Sequence, residues 1–128
     1  MSKSRPKTLA EVVQRVIAGS DWKLEVSDFL DEFYSSPNSE AVEVKPEPLA
    51  DRVDNGKVKD AYVAAIAEHL CRGYDIKHPK WLTSSTGRLD DPHFSYDSYE
   101  GRMYLLAVSP PAFKGRNLFV PEDVLSRC

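Results

Sequence analysis

The amino-acid sequence predicts a mostly α fold, a compact helical domain of about four to six helices with long ordered loops and at most one short β-hairpin or strand. Two observations support this prediction. Apolar residues recur at helical spacing in four separate segments, each bounded by a capping residue, a glycine or a proline. The chain of 128 residues is also long enough to close one modest hydrophobic core without metals or disulfides.

The first helix follows a basic leader at residues 1–7, which we expect to be flexible. Thr8 and Glu11 form a T-x-x-E capping box, which satisfies two free amide donors at the start of a helix. Gly19 provides a stop. Between them, five apolar side chains share one helix face: Leu9, Val12, Val13, Val16 and Ile17.

A second helix is predicted to begin near Ser20 or Asp21. Its apolar residues repeat at helical spacing at Trp22, Val26, Phe29, Leu30 and Phe33. The acidic residues fall on other faces: Glu25, Asp28, Asp31 and Glu32. Because the junction at Gly19 is short, residues 8–34 are predicted to form a helix pair whose apolar stripes meet.

Residues 35–56 are predicted to be a connector, since serine, asparagine and proline interrupt any helical pattern. Within it, residues 41–44 alternate in polarity, which predicts either a short strand or an extended linker. The next strong pattern runs from about Lys57 to Arg72, with Gly73 just past its end. We interpret it as the central core helix of the single domain at residues 8–128.

The remainder of residues 57–128 is a C-terminal loop-rich motif. Residues 74–97 carry large hydrophobic side chains and are predicted to form a loop packed against the domain. A long helix is predicted from Tyr99 to Val108, and Pro110-Pro111 prevents its continuation. We expect its inward face to contain Tyr99, Met103, Leu106 and Ala107.

After this helix, the sequence predicts three short features. Ser109 is placed to cap a turn that contains Phe113. Residues 118–120 are expected to be extended. Pro121 is suited to the first position of a last short helix.

Composition excludes several classes of protein. A net charge of −3 is too small to mark the whole chain as a nucleic-acid or membrane binder. The longest apolar run, residues 61–67, is far shorter than the roughly 20 residues of a membrane span. The start of the chain lacks the apolar block of a secretory signal. Two cysteines fit a reducing compartment, so we expect a cytoplasmic protein with Cys71 in its core.

No catalytic pattern is evident, which predicts a non-enzymatic protein without cofactor or metal. The sequence contains neither a G-x-S-x-G nucleophile turn nor a glycine-rich phosphate loop. One alternative is a metal-assisted hydrolase built around Asp90, Asp91 and His93. The same Asp-Asp-Pro-His run is typical of an ordinary turn, which we favour.

A second alternative is a small DNA-binding regulator that uses the basic leader and the helix pair. The acidic residues of the second helix, among them Asp28 and Glu32, would repel the phosphate backbone from a helix in the major groove. The same acidic face would suit a basic protein partner, although a plain solvated face explains it equally well.

Residues 61–125 contain a series of motifs: a helix ending near Gly73, then Pro79-Lys80-Trp81, Leu89-Asp90-Asp91-Pro92-His93-Phe94, Ser109-Pro110-Pro111-Ala112-Phe113, Arg116-Asn117-Leu118-Phe119-Val120 and Leu125. This block resembles the C-terminal part of small bacterial proteins encoded beside minimal nucleotidyltransferase-like toxins. The resemblance covers about half of the chain. It implies an antitoxin or accessory partner without enzymatic activity. Relatives often carry an N-terminal helix-turn-helix, where this chain has only its acidic helix pair.

We therefore expect a protein-binding module that neutralises a partner toxin by occluding its active site or substrate path. Aromatic and arginine side chains dominate the energetics of protein interfaces. The expected contact residues are Trp81, Phe94, Phe113, Arg116 and Phe119, with Asp28 and Glu32 from the acidic helix. For each aromatic residue the alternative is burial in the core, which is at least as common.

Overall fold

Residues 5–84 and 88–126 are described by the computed structural model, which confirms a mostly helical fold with loops. These residues form seven helices, where about four to six were expected, and a parallel pair of strands in place of a hairpin or a single strand. The helices are α1 (Leu9–Ile17), α2 (Trp22–Ser35), α3 (Glu40–Glu43), α4 (Gly56–Gly73), α5 (Lys80–Ser84), α6 (Tyr99–Val108) and α7 (Pro111–Lys114). Strands β1 (His93–Phe94) and β2 (Leu118–Phe119) pair in parallel. None of the helices in the described ranges is both long and apolar enough to cross a membrane.

The start of α1 has the predicted cap with one difference. The Thr8 hydroxyl accepts the Glu11 backbone N–H at 3.0 Å. The Glu11 carboxylate accepts the N–H of Lys7 at 3.0 Å, one residue earlier than in a standard capping box. Gly19, with φ of 110°, follows the helix in a conformation that favours glycine.

A buried carboxylate holds the corner between α1 and α2. Glu25 was expected on an outward face, but it is only 3% exposed. It accepts hydrogen bonds from the Ser20 hydroxyl at 2.5 Å and from Arg15 at 3.4 Å. Arg15 also pairs with Glu11 at 2.8 Å. Glu25 is buried because these partners replace the water that a lone carboxylate would need.

The connector differs from its prediction at residues 41–44. The structure has the helical turn α3 there, where a short strand or extended linker was expected. Ala41 and Val42 are buried, and the Asn38 side chain accepts the N–H of Ala41 at 3.1 Å. Two adjacent apolar residues can enter the core together on one helical turn, whereas successive strand residues point to opposite faces.

The central helix α4 closely matches the predicted range of 57–72. Five consecutive residues, Val63 to Ala67, are buried, so neighbouring elements surround this part of the helix. The Asp60 carboxylate accepts the N–H groups of Leu49 at 2.7 Å and Ala50 at 3.0 Å. These two bonds attach the end of the connector to α4.

The C-terminal part is organised by backbone pairing. The Leu89 N–H donates to the carbonyl of residue 116 at 3.1 Å, the His93 N–H to that of residue 117 at 2.9 Å, and the Ser95 N–H to that of residue 119 at 3.1 Å. The predicted turn around Phe113 is α7, and extended structure is present at residues 118–119. The last helix predicted from Pro121 is only a turn, in which Val124 N–H donates to the Pro121 carbonyl at 3.2 Å.

The predicted bounds of α6 are confirmed, but the prediction of which residues face inward is wrong. Tyr99, Met103 and Leu106 are 77%, 48% and 41% exposed, and Ala107 is exposed as well. Leu105 is fully buried instead. The helix packs on β2 through the side that carries Leu105, which leaves the predicted stripe facing solvent.

Two glycines of α4 provide a matched test of this packing. A Cβ atom at Gly56 would lie 2.1 Å from the backbone oxygen of Leu49, whereas one at Gly73 would meet nothing within 4 Å. We expect Gly56→Ala to lower the free energy of unfolding by about 2 kcal/mol through overpacking. Gly73→Ala should raise it by about 0.5 kcal/mol through helix propensity. Urea unfolding measures both, and equal effects would contradict the close approach at Gly56.

Candidate protein-binding surface

Two of the aromatic residues expected at an interface belong to the core. Phe113 is fully buried on α7, with ring centroids of Tyr62 and His69 at 5.4 and 6.3 Å. Phe119 is 8% exposed on β2. Neither side chain offers a surface to a partner in this fold. Both are buried in the core, which was the alternative to an interface position. The cause is that α7 packs against α4, and β2 packs against α7.

Arg116 is also internal, with 7% of its surface exposed. Its guanidinium pairs with the Glu68 carboxylate and donates to the Ala112 carbonyl at 3.0 Å. Glu68 pairs in turn with Arg72 at 2.6 Å. Since Glu68 and Arg72 lie on α4, Arg116 fastens the turn after α7 to the central helix.

Phe94 and Trp81 are both half-buried and lie on different elements. The Phe94 ring stacks on Phe119 at a centroid distance of 4.8 Å, and the Arg102 guanidinium of α6 covers it at 5.2 Å. Trp81 donates its indole N–H to the Val42 carbonyl at 2.8 Å, which joins α5 to α3. Phe94 therefore lies next to α6, whereas Trp81 lies where α5 meets α3.

The acidic residues Asp28 and Glu32 are partly exposed on α2, which packs against α1. Glu32 lies 4.0 Å from Arg5. An exposed pair at this distance contributes little to stability. Both carboxylates are partly accessible to solvent on α2, whereas Phe94 lies in β1.

Several exposed large apolar side chains lie on α6, where the sequence had predicted a face turned to the core. Tyr99, Met103 and Leu106 stand at positions i, i+4 and i+7, so they form one stripe, which we call the α6 stripe. Two further exposed aromatic residues are close in sequence: Tyr96, which precedes α6 and is 44% exposed, and Tyr104, which lies in α6 and is 46% exposed. The periodic pattern of α6 signalled an apolar face correctly, but it could not indicate which side meets the core.

Hydroxyl groups at both ends hold α6 in place. Ser98 accepts the Gly101 N–H at 3.0 Å as the N-cap. At the other end, the buried Ser109 hydroxyl lies 2.6 Å from the Leu105 carbonyl and accepts the Val120 N–H at 2.9 Å. The predicted capping role of Ser109 at α7 is wrong, because its hydroxyl links α6 to the residue after β2.

The surroundings of the α6 stripe are charged. The Tyr104 hydroxyl is 3.4 Å from a Glu122 carboxylate oxygen. That carboxylate raises the pKa of Tyr104, chiefly by its negative charge, and Asp123 adds to the effect. Glu100 is a further acidic residue on the helix, while Arg102 provides a positive charge beside Phe94.

No group of three or more His, Cys, Asp or Glu side chains within residues 5–84 and 88–126 could hold a metal ion. Asp90 and Asp91 are exposed, and His93 lies in β1. Burial, followed by the charge of Arg72, lowers the pKa of His69 and so favours its neutral imidazole.

Core and surface positions of aromatic residues are separable by mutation. We expect Phe113→Ala to lower the free energy of unfolding by about 3 to 5 kcal/mol, since it empties a fully buried position. Tyr99→Ala, at a position 77% exposed, should change it by less than about 0.5 kcal/mol. Chemical denaturation checks both, and a Tyr99→Ala effect near that of Phe113→Ala would show that α6 packs through its stripe.

Comparison with known proteins adds no assignment: no family of proteins, no curated protein and no solved structure matches this chain.

Proposed function

We propose that this chain is a non-enzymatic protein-binding module that inhibits its partner by occlusion, with the α6 stripe as the principal contact. The single observation behind the proposal is the exposure of Tyr99, Met103 and Leu106 on one side of a capped helix. Solvent contact is unfavourable for such large apolar side chains, and burial against a partner removes that cost.

The geometry of the stripe indicates how a partner would bind. Amphipathic helices commonly insert side chains at i, i+4 and i+7 into an apolar groove of another protein. Leu105 anchors the opposite side of α6 in the core, so the helix would present its stripe without leaving the domain. The partner therefore requires an apolar groove about two helical turns long.

Charge narrows the class of partner. Glu100, Glu122 and Asp123 belong to α6 and the turn near Tyr104, so a groove with basic residues at its rim would complement them. Asp28 and Glu32 on α2 would add long-range attraction for the same basic partner. Complementary charge speeds encounter more than it adds affinity.

The partner proposed is a nucleotidyltransferase-like toxin, and the chain is then an antitoxin acting in a bacterial cytoplasm. This part of the proposal rests on the resemblance of residues 61–125, a block that contains α6. Insertion of α6 beside a toxin active site would exclude substrate sterically. Such inhibition requires no catalytic residue, cofactor or metal on this chain.

The proposal predicts that charges in the stripe abolish binding. The tagged chain is used to capture proteins from its native host at moderate salt with nuclease present, and any stoichiometric partner is then purified. Met103→Asp with Leu106→Asp should weaken that complex at least about a hundredfold, because two carboxylates would enter an apolar groove. Titration calorimetry with the purified partner measures the change.

Leu24→Asp is the matched control, because Leu24 is 54% exposed on α2 and lies outside the stripe. It should leave affinity unchanged. Expression of the partner alone should stop growth, and co-expression should restore growth for the unaltered chain and for Leu24→Asp only. A partner that binds the doubly substituted chain normally, or one retained only through nucleic acid, would refute the proposal.

A further inference from the structure

A groove beside Trp81 has the size and lining of a small-molecule site. It encloses about 500 Å³ between the α3 region and the residues that lead into α5. Small-molecule sites commonly measure roughly 300 to 1,000 Å³. Val42 and Trp81 supply its apolar surface, and lysines from both segments line it as well.

The charge of this groove is opposite to that of the chain. Lys45, Lys77 and Lys80 line it, and Glu43 is the acidic residue among its described lining. The whole chain carries a net charge of −3. Lysine ammonium groups are common ligands of phosphate and carboxylate. A concentration of lysines around one groove therefore favours an anion there.

The aromatic part of the groove is fixed in orientation. The Trp81 indole N–H donates to the Val42 carbonyl at 2.8 Å, and both residues line the groove. A held indole is a ready surface for a planar ring, and bases of all sequences stack on such rings. An anion that also carries a flat ring would use the lysines and the indole together, whereas an acidic peptide would use only the lysines.

We propose that this groove binds a nucleotide, with its base stacked on Trp81 and its phosphates among Lys45, Lys77 and Lys80. A free nucleoside diphosphate and the 5′-phosphorylated end of a single strand share this chemistry. The site is distinct from the α6 stripe, so the proposal does not rest on the proposed function. It also needs no covalent step.

Fluorescence of Trp81 provides the test. The chain has two tryptophans, so Trp22→Phe leaves Trp81 as the sole reporter. We expect ADP to quench its emission saturably, and adenosine and inorganic pyrophosphate to bind at least about tenfold more weakly, since each lacks one half of the recognition. Calorimetry of ADP with the unaltered chain gives the affinity independently of the Trp22→Phe substitution.

Lys45→Gln with Lys77→Gln should weaken ADP binding roughly tenfold, through loss of two phosphate contacts. Both lysines are exposed, so the variant should keep the urea midpoint of the unaltered chain. Lys23→Gln with Lys57→Gln, which removes the same charge at exposed positions outside the groove, is the control and should bind normally.

A 5′-phosphorylated tetranucleotide identifies the source of the ligand. Tighter binding of this strand than of ADP indicates a strand end, and equal or weaker binding indicates a free nucleotide. The proposal is overturned by the absence of saturable ADP binding, by pyrophosphate or hexaglutamate binding as tightly as ADP, or by full affinity in the Lys45→Gln, Lys77→Gln variant. None of these measurements uses the protein partner, so they leave the proposed function untouched.

Discussion

The rest of the structure depends on the burial of α4. Because Val63 to Ala67 are buried in succession, the helix must be covered from several directions at once. The connector is attached to it through Asp60, and α7 lies against it through Phe113. The small side chains of its alanines allow these neighbours to approach closely. Residues that supply cover for α4 are consequently unavailable for contact with other proteins.

That requirement explains why the sequence indicated the helices better than the site. Capping residues and helical spacing are local, and they were sufficient for α1, α2, α4 and α6. Which side of a helix meets the core depends on distant partners. Leu105 is buried although a wider apolar stripe lies on the other side of α6, and no local pattern distinguishes the two sides.

The buried polar groups were equally beyond local reasoning. Glu25 lies in an acidic helix, so its sequence context predicts a solvent-exposed side chain. In the structure it is buried because Ser20 and Arg15 donate hydrogen bonds to it. Arginine is a residue type common at protein interfaces, yet Arg116 forms an ion pair with Glu68 inside the fold. In both cases a partner from another part of the chain decides whether a charge can be buried. The α6 stripe and the Trp81 groove have different chemistry and are built from different segments.

The parallel pairing of β1 with β2 has a consequence for α6. Parallel strands require a long crossover, and here the crossover is residues 95–117, which contain α6 and α7. The hydrogen bonds between the strands therefore close a loop of chain that contains α6, so both ends of this helix are restrained. A helix restrained in this way has already lost the conformational entropy that a flexible recognition segment gives up on binding. It is preorganised, and a larger share of its contact energy would be expressed as affinity.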